Sequence, residues 1–273
     1  MIATKTKSLS RLVTFGLLLI CLIAFAKPAA GYSGTPDSPK FGYGARLDPY
    51  GEDVALALKA AASIGIDWIA VDIDWARVWP NRNSDPDLNT LDFVMQKASR
   101  YELGMLVSIT NPPRWAVTAK GPDQAATIRL VLLLAQRYPQ NQLSIELFPA
   151  ANTAQGWGAP PDPGAYSNLL KACWSALQSS GSPVLLVAGG LEPLTSKPSN
   201  GDMDDLAFLG KLYRSGAAGF MPVVSLRLPA VTADVLADPG DGSALVLRHY
   251  EAIRKVMSQY NHSSGLIWVT GYT

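Results

Sequence analysis

The sequence predicts an α/β fold built on a parallel sheet. Three observations carry that prediction. From Phe41 onward, short apolar, β-branched runs alternate strictly with longer helical patterns. Strict alternation implies parallel pairing through right-handed crossovers. The strand-like runs are almost continuously apolar, as strands are when both faces of a sheet are covered. Long connections rich in Trp, Pro and Gly follow the same end of several strands. Of the 273 residues, 48% are apolar and 16% charged, a composition that supplies one large core and excludes a disordered chain.

Taken in order, the first 26 residues read as an address. Lys5, Lys7 and Arg11 precede an apolar run from Leu12 to Ala26, which ends in the small-x-small triplet Ala24-Phe25-Ala26. That is the layout of a secretory signal, and the run is short for a membrane span, which takes about 20 apolar residues. The expectation is a signal peptide at 1–26, export, and no stable membrane span after cleavage; an uncleaved N-terminal anchor is the alternative. Cleavage removes three of the 23 basic side chains and leaves all 22 acidic ones, so the formal charge moves from +1 to −2. Cys21 leaves with the segment, and Cys173 alone cannot form an internal disulfide. Residues 27–40, rich in Ser, Gly and Pro, read as a linker, and 41–273 as one domain.

Within that domain, Phe41–Ala45 is a weak strand and Val54–Ile64 a helix, with Val54, Leu58, Ala61 and Ile64 on one face. Trp68–Ile73 is a strand. Leu88–Tyr101 is a helix, with Asp87 at its start and Gly104 beyond its end. Strands follow at Met105–Ile109, Leu143–Phe148, Val184–Ala188, Met221–Leu226 and Leu266–Thr270. Between them lie helices at Asp123–Tyr138, Gly164–Ser180, Met203–Ser215 and Ser243–Tyr260. Seven strands and six helices suit either an open doubly wound sheet or a closed barrel. An open sheet of this kind carries a Gly-rich nucleotide turn after its first strand. Here Gly42-x-Gly44 is followed by Leu47 in place of the third Gly. The decorated loops Asp74–Asp87, Asn111–Pro122, Pro149–Pro163 and Gly189–Asp202 favour a (β/α)8 TIM-barrel type. The eighth βα unit is missing, so the barrel is truncated, completed by a partner chain at its open edge, or open and marginal.

Several function classes fall away. Near-zero net charge argues against a nucleic-acid grip. No Walker-type Lys and no G-x-S-x-G elbow is present. His249 and His262 are not placed for a triad, and two His with two Cys are too few for a zinc site. No cofactor or metal is expected.

The strand ends carry a resemblance. Phe41-Gly42-Tyr43-Gly44-Ala45, the run Trp68 to Pro80 (WIAVDIDWARVWP) and the run Asn111 to Ala116 (NPPRWA) resemble the first three strand ends of clan A glycoside hydrolases, nearest to families 5 and 39. Ile145-Glu146-Leu147-Phe148-Pro149-Ala150-Ala151-Asn152, then Trp157-Gly158, Pro163, Tyr166 and Leu169-Leu170, resembles that group's E-I-W-N-E-P-N, W-G, P and Y-x-x-L-L pattern. Gly189-Gly190-Leu191-Glu192-Pro193 matches its G-G-L-x-P, and Phe208-Leu209 with Tyr213 and Gly216 matches the helix before strand six. The likeness spans Phe41 to Tyr272. It implies retaining β-glycosidase chemistry, in which one carboxylate protonates the leaving oxygen and a second, about 5 Å away, attacks the sugar.

The same resemblance implies that both carboxylates are lost. The acid/base position falls on Ala150, after Pro149 in place of an Asn; the nucleophile position falls on Gly271. The strand-six Asp and His positions fall on Pro222 and Arg227. Without its nucleophile the covalent route is gone. Fallback carboxylates are Glu146, Asp72 and Glu192. Strand alternation puts residues 146, 148 and 150 on one face, so Glu146 points into the barrel; its plainer role is a structural Glu bonded to Arg77 or to backbone. Asp72 and Asp74 form a close pair, with one expected to cap a turn and the other to pair with Arg77. Glu192 is expected in solvent on its loop. A saccharide would be lined by Trp115, Asn152, Trp157, Arg77, Arg227 and Trp268, since sugar C–H faces stack on aromatic rings; Trp157 serves equally for loop packing. Trp68 and Trp174 are expected in the core, and Trp75 and Trp79 suit either role. Three readings follow: an inert, exported, carbohydrate-binding barrel; an active hydrolase using displaced carboxylates; or a structural protein completed by a partner chain.

Overall fold

The computed structural model describes residues 42–139, 142–194, 201–228 and 246–272. The expected signal peptide and linker lie outside the described residues, as do the expected first residues, 243–245, of the last helix. Seven parallel strands form one sheet in sequence order. They are β1 (Gly44–Leu47), β2 (Trp68–Asp74), β3 (Gly104–Thr110), β4 (Leu143–Leu147), β5 (Leu185–Leu191), β6 (Val223–Leu228) and β7 (Leu266–Tyr272). Six helices alternate with them: α1 (Val54–Ser63), α2 (Asn89–Arg100), α3 (Gln124–Arg137), α4 (Pro163–Ser179), α5 (Asp205–Arg214) and α6 (His249–Gln259). The expected order of elements holds throughout, and β1 starts three residues later than its apolar run suggested.

Local chemistry sets the helix starts. Asp123, Asp162 and Asp204 each accept a backbone N–H of the following first turn, at 2.8, 2.9 and 2.9 Å. An N-cap of this kind satisfies a donor the helix leaves orphaned, worth about 1 kcal/mol. Pro163 then occupies the first turn of α4, where its missing N–H costs nothing.

Alternation along the strands divides the molecule into two layers. Ile69, Val71 and Ile73 of β2, Met105, Val107 and Ile109 of β3, and Leu143, Ile145 and Leu147 of β4 face the helices and form the main core. The other face carries Arg46, Trp68, Asp72, Ser108, Glu146, Ser225, Arg227, Trp268 and Thr270. Groups on that face meet across the sheet. Trp68 of β2 packs on Trp268 of β7 with ring centroids 5.2 Å apart, and Arg46 of β1 donates to the Thr270 carbonyl of β7. The sheet therefore curls until its first and last strands share side-chain contacts, although no backbone ladder joins them. Gly104 is required beneath Trp68: a Cβ there would lie 2.6 Å from the indole.

Candidate functional site

The strand ends on the inner face meet around Glu146. This side chain is fully buried. Ser108 Oγ on β3 donates to its Oε2 at 2.6 Å, and Thr270 Oγ1 on β7 donates to its Oε1 at 2.8 Å. Arg227 Nη2 on β6 stands 3.6 Å from Oε2 and donates to Asp72 Oδ1 at 2.8 Å. Arg46 Nη1 donates to that same Asp72 oxygen at 2.6 Å. Two carboxylates and two guanidiniums thus form one charge-balanced cluster, drawing on strands β1, β2, β4 and β6. Desolvating an ion costs several kcal/mol, so Glu146 is tolerated only because both oxygens accept hydrogen bonds beside a cation.

This arrangement corrects one expectation: the partner of Glu146 and Asp72 is Arg227, not Arg77. Arg77 lies exposed, with its guanidinium 3.6 Å from the Tyr50 ring centroid. Asp74 does cap the turn after β2, accepting Arg77 N–H at 3.0 Å and Asn111 Nδ2 at 2.9 Å. Glu192 is exposed on its loop.

The stretch after β4 departs from alternation. Phe148 and Ala150 both have positive φ, 48° and 60°. Left-handed backbone at a non-Gly residue costs roughly 1–2 kcal/mol and persists only where surroundings impose it. Here Ala150 N–H donates to Gly190 O at 2.8 Å, and Thr153 Oγ1 donates to Ala150 O at 2.9 Å. Gly156 packs so close that a Cβ there would sit 2.3 Å from the same carbonyl. The turn at Phe148 removes its side chain from the face that Glu146 shares. It packs instead against Trp75 and Trp157. On β7, the register shifts so that Arg227 pairs with Gly271, and a Cβ at Gly271 would lie 3.1 Å from Arg227 Cγ. Arg227 thus uses space that a larger residue at 271 would contest.

Two further candidates are corrected by burial. Trp157 is 1% exposed. Its Nε1 donates to Lys120 O at 2.9 Å, and its ring meets Phe148 and Tyr166 edge-on. It has no face to offer a sugar. Asn152 is fully buried and clamps two loops: Nδ2 donates to Glu192 O and Met203 O, and Oδ1 accepts Glu192 N–H. Trp268 is half-buried against Trp68 at the start of β2, one layer below the charged cluster rather than at its rim.

The loop tryptophans form a chain of rings from Trp79 through Trp115, Trp75, Phe148, Trp157 and Tyr166 to Phe208. Of the four loop tryptophans in it, only Trp115 keeps solvent-facing surface. Tyr166 ties the chain to the sheet. Its hydroxyl donates to Leu147 O and accepts Gly189 N–H, both at 2.8 Å. Burial, its largest influence, pushes this phenol far above its ordinary range, so it remains a neutral donor.

Sequence reasoning placed Glu146 inside the barrel but missed Arg46, Ser108, Ser225 and Thr270. Alternation applied to β3 and β7 points to Ser108 and Thr270. Ser225 accepts Gly190 N–H at 2.5 Å and supports the bend after β5. Among the described residues no cluster of three or more His, Cys, Asp or Glu converges as a metal site, and no helix is long and apolar enough to cross a membrane.

No protein-family model matches the chain, and no curated protein matches it in sequence. Solved structures do match in fold. A family 39 glycoside hydrolase from the gut symbiont Bacteroides cellulosilyticus WH2 superposes with a TM-score of 0.60 at 17% identity, over 83% of this chain and 48% of that one. A GH10 endoxylanase retrieved from a sugarcane soil metagenome gives 0.56 at 10% identity, over 84% and 66%. An endogalactoceramidase gives 0.54 at 12%, over 84% and 63%. The chain spans about half the length of the family 39 enzyme. What it shares with these proteins is the fold: a seven-stranded parallel sheet with alternating helices, a partial (β/α)8 TIM barrel.

Proposed function

We propose that this chain is an exported, glycoside hydrolase-like barrel that binds carbohydrate without hydrolysing it. One observation supports this above all. The resemblance puts the acid/base and nucleophile at Ala150 and Gly271, and the inward-facing carboxylate of the same strand end, Glu146, is sealed from solvent with both oxygens engaged. A general acid must reach the leaving oxygen of the substrate within hydrogen-bond distance. Among the described residues, the buried Glu146 carboxylate meets Ser108, Thr270 and Arg227.

Asp72 and Glu146 do approach the same Arg227 nitrogen, at 2.8 and 3.6 Å, so one oxygen of each carboxylate lies close to the other, as paired carboxyls do in a glycosidase. Separation alone is not sufficient. Asp72 is held by two guanidiniums and Glu146 has no surface, so the pair straddles an arginine rather than a groove. The purified protein should give no turnover of aryl β-glycosides above a buffer blank. Hydrolysis that disappears in Glu146→Gln would reverse the reading. Retention on an insoluble β-glycan column would support binding, and elution in the void would remove it. Export rests on the N-terminal pattern at 1–26 and is tested by N-terminal sequencing of the secreted form, expected to begin at Lys27.

A further inference from the structure

The ring chain ends in an open cavity of about 90 Å³ lined by Arg82, Trp115, Asp123, Ala125, Ala126 and Arg129. It lies between the loop after β2 and the start of α3. We propose that this cavity binds an acidic saccharide, a pyranose bearing a carboxylate or sulfate, with the sugar against Trp115 and the anion between Arg82 and Arg129.

Three features of the cavity support this. First, Trp115 is held rigidly: its Nε1 donates to Trp79 O at 3.1 Å, and its ring meets Trp75 and Trp79 edge-on. It is the one member of the loop tryptophans that retains exposed surface. A fixed indole offers an apolar face at little entropic cost. Second, the two arginines are exposed, and among the described residues neither forms an ion pair. Elsewhere on the strand ends the guanidiniums of Arg46 and Arg227 are balanced by Asp72 and Glu146. Arg129 is also oriented, with its guanidinium 4.7 Å from the Trp79 ring centroid. Stacking leaves the planar edge of a guanidinium free for bidentate contact with an oxyanion. Third, Asp123 supplies an acceptor on the same wall. One of its oxygens caps α3 through Ala126 N–H, and the carboxylate remains able to receive a sugar hydroxyl. One ring face, two cations and one acceptor form a chemical complement to an acidic pyranose. A neutral sugar leaves both cations unmatched, and a bare anion leaves the indole unused. The volume holds several water-sized groups, enough for the anion and part of the ring.

The saccharide part rests on the carbohydrate-binding reading above, whereas the anion part rests on the arginines alone. The test is calorimetric titration of the full chain at low ionic strength with glucuronate, glucose 6-sulfate, methyl glucoside and inorganic sulfate. Glucuronate or the sulfated sugar should bind at least tenfold more tightly than methyl glucoside and than inorganic sulfate. Arg82→Gln and Arg129→Gln should each weaken that binding by tenfold or more, with Arg129→Lys recovering part of it and thermal midpoints unchanged. Equal affinity for the acidic and neutral sugars overturns the proposal. So does inorganic sulfate binding as tightly as the sugars, or either Gln variant staying within twofold of the parent. Retention on a neutral β-glycan column, measured on the Gln variants, reports the broader reading separately, because it does not depend on the arginines.

Discussion

The sheet is covered unevenly. Every residue of β4 and β5 is buried, with α3, α4 and α5 on the outside and the charged cluster on the inside. At the other end, β1 alternates between exposed and half-buried residues, and Val269 of β7 is 47% exposed. Leu56 of the neighbouring α1 and Ile64, just past its end, are exposed too. The first region is held by packing that no single contact dominates. The second is held by a few side chains, chiefly Arg46 reaching across to Thr270 and Trp68 resting on Trp268. Local stability should follow that division, since regions with few buried apolar contacts open at lower free energy than the core.

The largest effect should appear at Cys173, on α4 in the covered region. Burial pushes its thiol up to about 12. Labelling by a thiol reagent at pH 8 should be roughly a thousandfold or more slower than in denaturant, because the site opens only with the core. Rapid native labelling would show that the covered half is not the stable one. Next, Trp157→Ala removes an indole touching two other rings and should lower unfolding free energy by about 3–5 kcal/mol in denaturant titration. Glu146→Gln retains volume but gives Ser108, Thr270 and Arg227 a weaker partner set. A loss of about 1–3 kcal/mol is expected, with little change in fold by circular dichroism.

On the other side, His262 precedes β7, and its Nδ1 lies 2.8 Å from Tyr213 Oη. Burial first, then the Arg254 charge, holds its pKa below the ordinary 6.5. The unfolded chain then takes up a proton that the folded chain refuses. The stability contributed is complete above pH 6.5 and is lost as pH falls toward the lower folded value. The midpoint should therefore drop by ~1–3 °C between pH 7 and 5, and His262→Gln should reduce that slope. The smallest effect belongs to Val269→Thr, at an exposed strand position: within about 0.5 kcal/mol. A larger loss would mean that this face is covered in solution, which light scattering would reveal as an oligomer.

Much of the fold was legible in the residues. Val54, Leu58 and Ala61 appear buried as their spacing required, because a 3.6-residue period is a local property of the chain, whereas Ile64, expected on the same face, lies just past the helix end and is exposed. Alternation likewise turned Glu146 inward. It failed at Phe148, where left-handed backbone redirects the side chain, and nothing in the one-dimensional pattern marks that turn. The tryptophans were the other blind spot. Trp75, Trp79 and Trp157 sit in loops among Pro and Gly, where exposure is the ordinary outcome, yet they are buried against one another.

The sequence by itself determined the alternation of strands and helices and the absence of Glu from positions 150 and 271. Both are read within a few residues of backbone. Only the tertiary structure decided that Glu146 answers to Ser108, Arg227 and Thr270, and that Trp115 alone among the loop tryptophans stays open. Those pairings join strands up to 124 residues apart. They depend on the register and curl of the sheet, which arise from packing over the whole core and from no segment of it.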